Sequence, residues 1–231
     1  MTTFVSFLET VGSFLLGVVA RSAVFMAGLI ALAIPALLLA LAWRALQRRR
    51  EAAVAEEGGL SFRRGAYYAP NHTWLAPAAR GLRVGIDDFA QRLIPSATAV
   101  ELPRAGMKVR RGDPVAVVRA GGRTIRVLAP IDGTIVDGNG AVRRDPGLVK
   151  REPYGRGWLF GIVPADGSYL TFPQDWDGGG WLRRERERLD RYVEQELGLA
   201  AADGGELPPP APSTLGEEGW QRVVATFLHA A

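Results

Sequence analysis

The chain offers few side chains for covalent or metal chemistry. It contains two histidines, no cysteine and only two lysines, Lys108 and Lys150. His72 lies beside Trp74 with no Ser, Cys or ligand-type partner close by in sequence, and His229 stands almost at the C-terminus. That spacing suits neither a partnered general base nor a clustered-histidine metal site. Without cysteine there can be no disulfide framework, thiolate-zinc site or thiol nucleophile. Asp87 and Asp88 precede a short apolar run and read as a helix N-terminus, where their oxygens would accept backbone N–H bonds. No glycine-rich stretch ends in the Lys-Ser/Thr that a phosphate loop requires. The expected chemistry is recognition rather than catalysis, with no catalytic residue, metal or cofactor.

Arginine dominates what remains. The net charge is +4, a surplus that membrane topology already accounts for in part, so it gives little reason to expect nucleic acid. Arg119, Arg123 and Arg126 cluster around Gly121-Gly122 within Val115–Pro130, VAVVRAGGRTIRVLAP. Two β-branched runs flanking adjacent glycines predict a tight hairpin with positive φ angles at its tip. Its arginines make either a solvated face or a docking surface for an acidic protein or anionic lipid. They lack the interleaved aromatics of a base-stacking platform.

The elements that would position this hairpin are short strand-like runs separated by Gly, Pro and Asp turns, which predict a compact β-sandwich or barrel. Val115, Val117, Ile125, Val127, Ile135 and Trp158 are the expected inward positions. Trp74, Tyr154 and Trp158 read as core aromatics.

Six segments in order extend this picture: Asn71-His72-Thr73-Trp74, Gly85-Ile86-Asp87-Asp88-Phe89-Ala90-Gln91, Val100-Glu101-Leu102-Pro103, the Gly106/Gly112 turn, Ala129-Pro130-Ile131-Asp132-Gly133, and Pro153-Tyr154-Gly155-Arg156-Gly157-Trp158-Leu159. Together they resemble the H protein of the glycine cleavage system, a lipoyl-bearing carrier, nearly continuously from Leu60 to Pro173. The resemblance implies a mainly β fold, the lipoyl/H-protein-like β-sandwich or barrel-sandwich hybrid. It also implies a lipoylated lysine at the hairpin tip. The family's spacing, eight positions back from Pro130, puts that lysine at Gly122, with Arg119 where an acidic residue would stand. The arm has no attachment point in this register, and Arg123 cannot substitute because a guanidinium stays protonated.

Ser22 to Trp43 carries no charge over 22 residues, and at about 1.5 Å per residue would cover roughly 33 Å, enough for a bilayer core. It reads as a transmembrane helix containing Pro35, with Trp43 at interfacial depth. Arg44, Arg48, Arg49 and Arg50 follow it, so the positive-inside rule places the N-terminus outside and the larger C-terminal part in the cytoplasm. A basic cluster after the apolar run fits a cleaved signal peptide poorly. Residues 1–21 read as an apolar interfacial segment, with a second short membrane segment as the alternative, and residues 44–59 as a basic juxtamembrane helix and linker ended by Gly58-Gly59.

After a β-domain at 60–173, residues 174–231 form a C-terminal extension. Trp181 to Leu197 reads as a charged helix with an apolar stripe of Leu182, Leu189, Val193 and Leu197, and with Glu187 and Arg191 spaced as an ion pair. A Pro-rich linker, DGGELPPPAP, leads to Thr214–Glu217 with capping-box spacing. Trp220, Val223, Val224, Phe227 and Leu228 then share one helical face, which either the parent domain or a partner groove must bury.

The expectation is a non-catalytic, single-pass protein of the cytoplasmic membrane. A non-lipoylated H-protein-like domain would serve as scaffold or accessory subunit among the integral subunits of a membrane complex. A lipoyl-type carrier using Lys108 or Lys150, and a membrane-fusion adaptor with a lipoyl-like domain, are the alternatives.

Overall fold

The computed structural model describes residues 31–43, 53–197 and 215–229, together with scattered positions between 12 and 29. It divides into two units, Met1–Ala52 and Ala53–Ala231. In the first unit residues 31–43 are helical and exposed all round, Leu32, Leu37, Leu38, Leu39 and Trp43 among them. Among the described residues no helix is long and apolar enough to cross a membrane. The predicted span, Ser22 to Trp43, includes positions outside the described residues, as do the arginines at 44–50 and most of residues 1–21.

The second unit is mainly β and entirely antiparallel in its pairings. Its sheets are a hairpin of β1 (Val54–Glu57) and β2 (Leu60–Arg63), a six-stranded sheet and a three-stranded sheet. The six-stranded sheet has the order β3 (Tyr67–Tyr68), β4 (Thr73–Pro77), β5 (Leu82–Ile86), β11 (Phe160–Pro164), β10 (Gly133–Gly138), β7 (Lys108–Val109). The three-stranded sheet runs β6 (Ala97–Glu101), β8 (Pro114–Ala120), β9 (Arg123–Leu128). Alternation of apolar residues drives both sheets: Leu82, Val84 and Ile86 from β5, Val118 and Ala120 from β8, and Ile125 and Val127 from β9 enter one core. Short helices α1 (Asp88–Leu93), α2 (Gly140–Arg144) and α3 (Leu148–Arg151) close its ends. The long helix α4 (Asp175–Leu197) and the C-terminal α5 (Gly216–Val223) contribute Leu182, Leu189, Val193 and Trp220 to the same core.

Several sequence expectations change. The juxtamembrane helix gives way at Val54–Glu57 to β1, because Gly58 and Gly59, both at positive φ, make a two-residue hairpin turn that pairs Glu57 with Leu60. The domain therefore starts before Leu60. Helix α4 begins at Asp175 and contains Gly178-Gly179-Gly180. Those glycines permit close approach: a Cβ on Gly178 would lie 2.6 Å from the Tyr68 ring, and one on Gly179 2.8 Å from Phe62. Helix α4 thus packs into the β-domain. Glu187 pairs with Arg183 at 3.0 Å.

Of the expected inward positions, Val115, Ile125, Val127 and Ile135 are buried, while Val117 and Trp158 are half-buried. The β8–β9 register shifts between Pro114 and Ala116, and this bulge turns Ala116, Val118 and Ala120 inward and Val117 away. Trp158 lies beneath the Arg83 guanidinium, 4.7 Å from its ring centroid. Trp74 and Tyr154 are core residues as expected.

Trp74 stands opposite Gly85 in the β4–β5 pair, and a Cβ at position 85 would meet the indole at 2.6 Å. Gly85→Ala is therefore expected to destabilise the fold by about 1–3 kcal/mol. Urea denaturation followed by tryptophan emission measures it.

Candidate functional site

The hairpin forms as its sequence requires. Ala120 pairs with Arg123, and Gly121 and Gly122 at φ 56° and 78° make the tip. Both positive angles belong to the primed turn that matches strand twist, so the paired glycines have a local reason to be there. A Cβ on Gly122 would meet no atom within 4 Å. The tip is open at this position and carries no amine. Lys108 lies on β7, and the Lys150 Nζ, on α3, donates to the Ile94 carbonyl at 2.9 Å.

The predicted basic face is largely neutralised within the chain. Arg119 pairs with Glu101 at 2.6 Å across β8 and β6. Both side chains are exposed, so the pair contributes at most about 1 kcal/mol. Arg123 donates through Nε to Glu217 at 3.2 Å and lies over the Trp220 ring, 4.7 Å from its centroid. Arg126 alone of the three remains exposed without a partner among the described residues. Of the three arginines read as either a solvated face or a docking surface, two are thus engaged by acids and an indole within the chain.

The same contacts decide the fate of the C-terminal helix. Trp220, Val223, Val224, Phe227 and Leu228 are all buried within this chain. Helix α5 begins at Gly216 without a side-chain cap and passes into a π-helical turn over Val224–Leu228. Glu217 accepts from Arg123 and from Gln221 Nε2 at 2.9 Å, while Thr214, the first residue of the capping-box reading, lies outside the described residues. Trp220 Nε1 donates to the Leu93 carbonyl at 3.4 Å, and the Phe227 ring packs on Phe89 and Tyr192 with centroids 5.6 and 5.7 Å apart. A partner groove is thus not needed to bury this face. The parent domain does so.

Beneath this contact lies a polar cluster that the local sequence did not reveal. His72 is fully buried and adopts φ 55°. Its Nδ1 is 3.0 Å from Asp87 Oδ2, and its Nε2 is 3.8 Å from Glu185 Oε2 on α4. The ring stacks on Phe89 at 3.9 Å between centroids, with Trp181 at 4.9 Å. Asp87 is also the N-cap of α1, accepting from the Ala90 amide at 3.0 Å, as its position before an apolar run predicts. Burial disfavours a charged imidazole, yet the Asp87 and Glu185 carboxylates outweigh it and raise the His72 pKa. Half-burial opposes ionisation of Glu185, but His72 and Arg188 together hold its carboxyl below the usual range. His72 and Asp87 are fully buried, the Glu185 side chain is 16% exposed, and no hydroxyl or thiol nucleophile contacts the imidazole among the described residues, so the cluster fits a structural clamp. No group of three or more His, Cys, Asp or Glu among the described residues is arranged to hold a metal.

Comparison with known proteins matches the described β-domain. A family model for the glycine cleavage H-protein matches residues 66–171. The glycine cleavage system H protein of Thermus thermophilus is 39% identical over 115 residues, covering 50% of this chain and 88% of that relative. Those of Coxiella burnetii and Micrococcus luteus are 37% and 38% identical, covering 48% and 49% of this chain and 87% and 91% of their own lengths. Among solved structures, a glycine cleavage system H protein from Mycobacterium marinum is 28% identical with a TM-score of 0.46, covering 52% of this chain and 98% of its own.

Two outcomes are expected. Phe227→Ala removes a ring packed on Phe89 and Tyr192 and should cost about 3–5 kcal/mol, read as a lowered denaturation midpoint. For His72, a raised folded pKa means the charged form favours the native state. Its stabilisation is full below the unfolded pKa of about 6.5 and is lost as pH rises through the higher folded value. The stability gap between wild type and His72→Gln should therefore shrink as pH rises through that window, checked by denaturation at stepped pH.

Proposed function

The chain belongs to the glycine cleavage H-protein family yet presents glycines where the resemblance calls for a lipoyl lysine, and we propose that it acts by binding, as a membrane-anchored scaffold or accessory subunit. The observation that carries this reading is the bare tip: Gly121 and Gly122 form the turn, and neither lysine lies there. A carrier needs a displayed amine to load. This chain instead uses the residue after the tip, Arg123, to hold its own C-terminal helix.

The anchor is inferred from the uncharged run at 22–43 and from residues 31–43, which are helical with large apolar side chains exposed on every face. A helix apolar all round has no polar face to give to water and is suited to lipid or to partner helices. The arginines after the run favour a single pass with the β-domain on the cytoplasmic side. Integral membrane subunits of a larger complex are the proposed partners, held by the anchor and by the exposed surface of the domain.

The carrier reading would have to use Lys108 or Lys150. Lys150 is held by the Ile94 carbonyl, and Lys108 lies on β7 away from any two-residue hairpin tip, so neither geometry favours it. The fusion-adaptor reading requires the domain outside the cytoplasm and a long helical hairpin inserted in it. At the β8–β9 turn the insertion is two glycines.

The deciding experiment is mass spectrometry of the protein isolated from its native membranes in mild detergent, as an intact chain and with co-migrating proteins. An unmodified mass with stoichiometric integral membrane partners is the expected result. A lipoyl adduct would restore the carrier, and recovery in the soluble fraction would remove the anchor.

A further inference from the structure

Among the described residues, one group of neighbouring cations without a carboxylate partner lies at a place other than the β8–β9 hairpin. Arg104, Lys108, Arg110 and Arg111 lie within eight residues, on β7 and the turns flanking it, and all four are exposed. None forms an ion pair with a carboxylate among the described residues, whereas Arg119, Arg123, Arg151 and Arg183 are each paired. Between them Met107 exposes 37% of its surface.

The backbone of this segment is held firmly. Gly106, at φ 82°, donates to the Ile135 carbonyl at 2.8 Å, and Met107 accepts from the Ile135 amide at 2.9 Å. The nearby acids serve the backbone: Asp113 accepts from the Arg110 amide and Asp132 from the Arg111 amide, both at 2.7 Å. Those two carboxylates reduce the local surplus without pairing with a guanidinium. Arg111 also lies over Phe172, 5.8 Å from its ring centroid. Four cations and one apolar side chain are thus presented by a rigid edge of the six-stranded sheet, since β7 is its terminal strand.

We propose that this edge, residues 104–111, docks on the anionic phospholipid headgroups of the membrane that anchors the chain; the inference rests on the anchored reading above. Separate cations suit a surface of mobile phosphates, and each contributes independently near an anionic bilayer. An exposed methionine among them suits the apolar layer below the headgroups, which an acidic protein surface would not offer. The uncharged run at 22–43 would keep the domain close to that surface.

The chain has no cysteine, so Met107→Cys gives a unique labelling site. The full-length labelled protein is placed in nanodiscs of phosphatidylcholine, alone or mixed with phosphatidylglycerol, with a headgroup-attached quencher. The expected result is quenching that requires phosphatidylglycerol, declines with salt, and weakens by roughly 25-fold in the docking equilibrium when Lys108→Gln and Arg110→Gln are combined. Quenching that is equal in both lipids, or unchanged in the double variant, overturns the proposal. So does a label that responds to an oligonucleotide or acidic peptide but not to phosphatidylglycerol. Failure to enter phosphatidylcholine discs would sink the anchor instead, and anionic vesicles added to the same labelled protein would still decide the surface.

Discussion

The buried contact between His72 and Asp87, with Glu185 facing the same imidazole, joins parts of the chain that lie far apart in sequence. Asp87 caps α1 with one oxygen and holds the imidazole with the other. His72 in turn faces Glu185 on α4, so the strand β4, helix α1 and the long C-terminal helix meet at one ring. A charge is costly to bury unless it is paired, and an unmatched partner left behind would be strongly destabilising. The cluster consequently constrains all three elements at once. Neighbouring polar contacts reinforce it: Tyr154 donates to the Ser61 carbonyl at 2.7 Å and accepts from the Asp88 amide at 2.9 Å, joining β2 to the same helix start.

With α1 and α4 fixed, the C-terminal helix has a surface to occupy. Phe89 stacks on His72 from one side and meets Phe227 on the other, so the polar clamp and the apolar cover share a wall. Trp220 and Glu217 then reach the hairpin through Arg123. A chain of contacts thus runs from the buried imidazole to the tip where the family's arm would be attached. In this protein the residue that follows the tip, Arg123, serves internal packing.

The charge distribution follows from the same arrangement. Arg119 and Arg123 find acids, and Arg123 an indole as well, while Arg104, Lys108, Arg110 and Arg111 form no ion pair with a carboxylate among the described residues. Local net charge read along the sequence overstates the first group and misses the contrast with the second.

What the sequence by itself determined is the set of features whose cause lies within a few residues. The β8–β9 hairpin follows from adjacent glycines between β-branched runs, and the Asp87 cap from its place before Phe89-Ala90. The ordered motifs carried the H-protein resemblance, and the lack of a lysine near the tip needed no coordinates. Tertiary structure alone decided which side chains were already spoken for. Arg123 and Glu217 are 94 positions apart, and Trp220 reaches a carbonyl 127 positions away, separations at which no periodicity carries information. Gly58-Gly59 shows the limit from the other side. Adjacent glycines stop a helix or turn a hairpin equally well, and only the partner strand, with Leu60 and Phe62 buried in the core, selects the turn. His72 looked solitary for the same reason: its partners come from α1 and α4, and the fold had to bring them within reach before its burial could be stable.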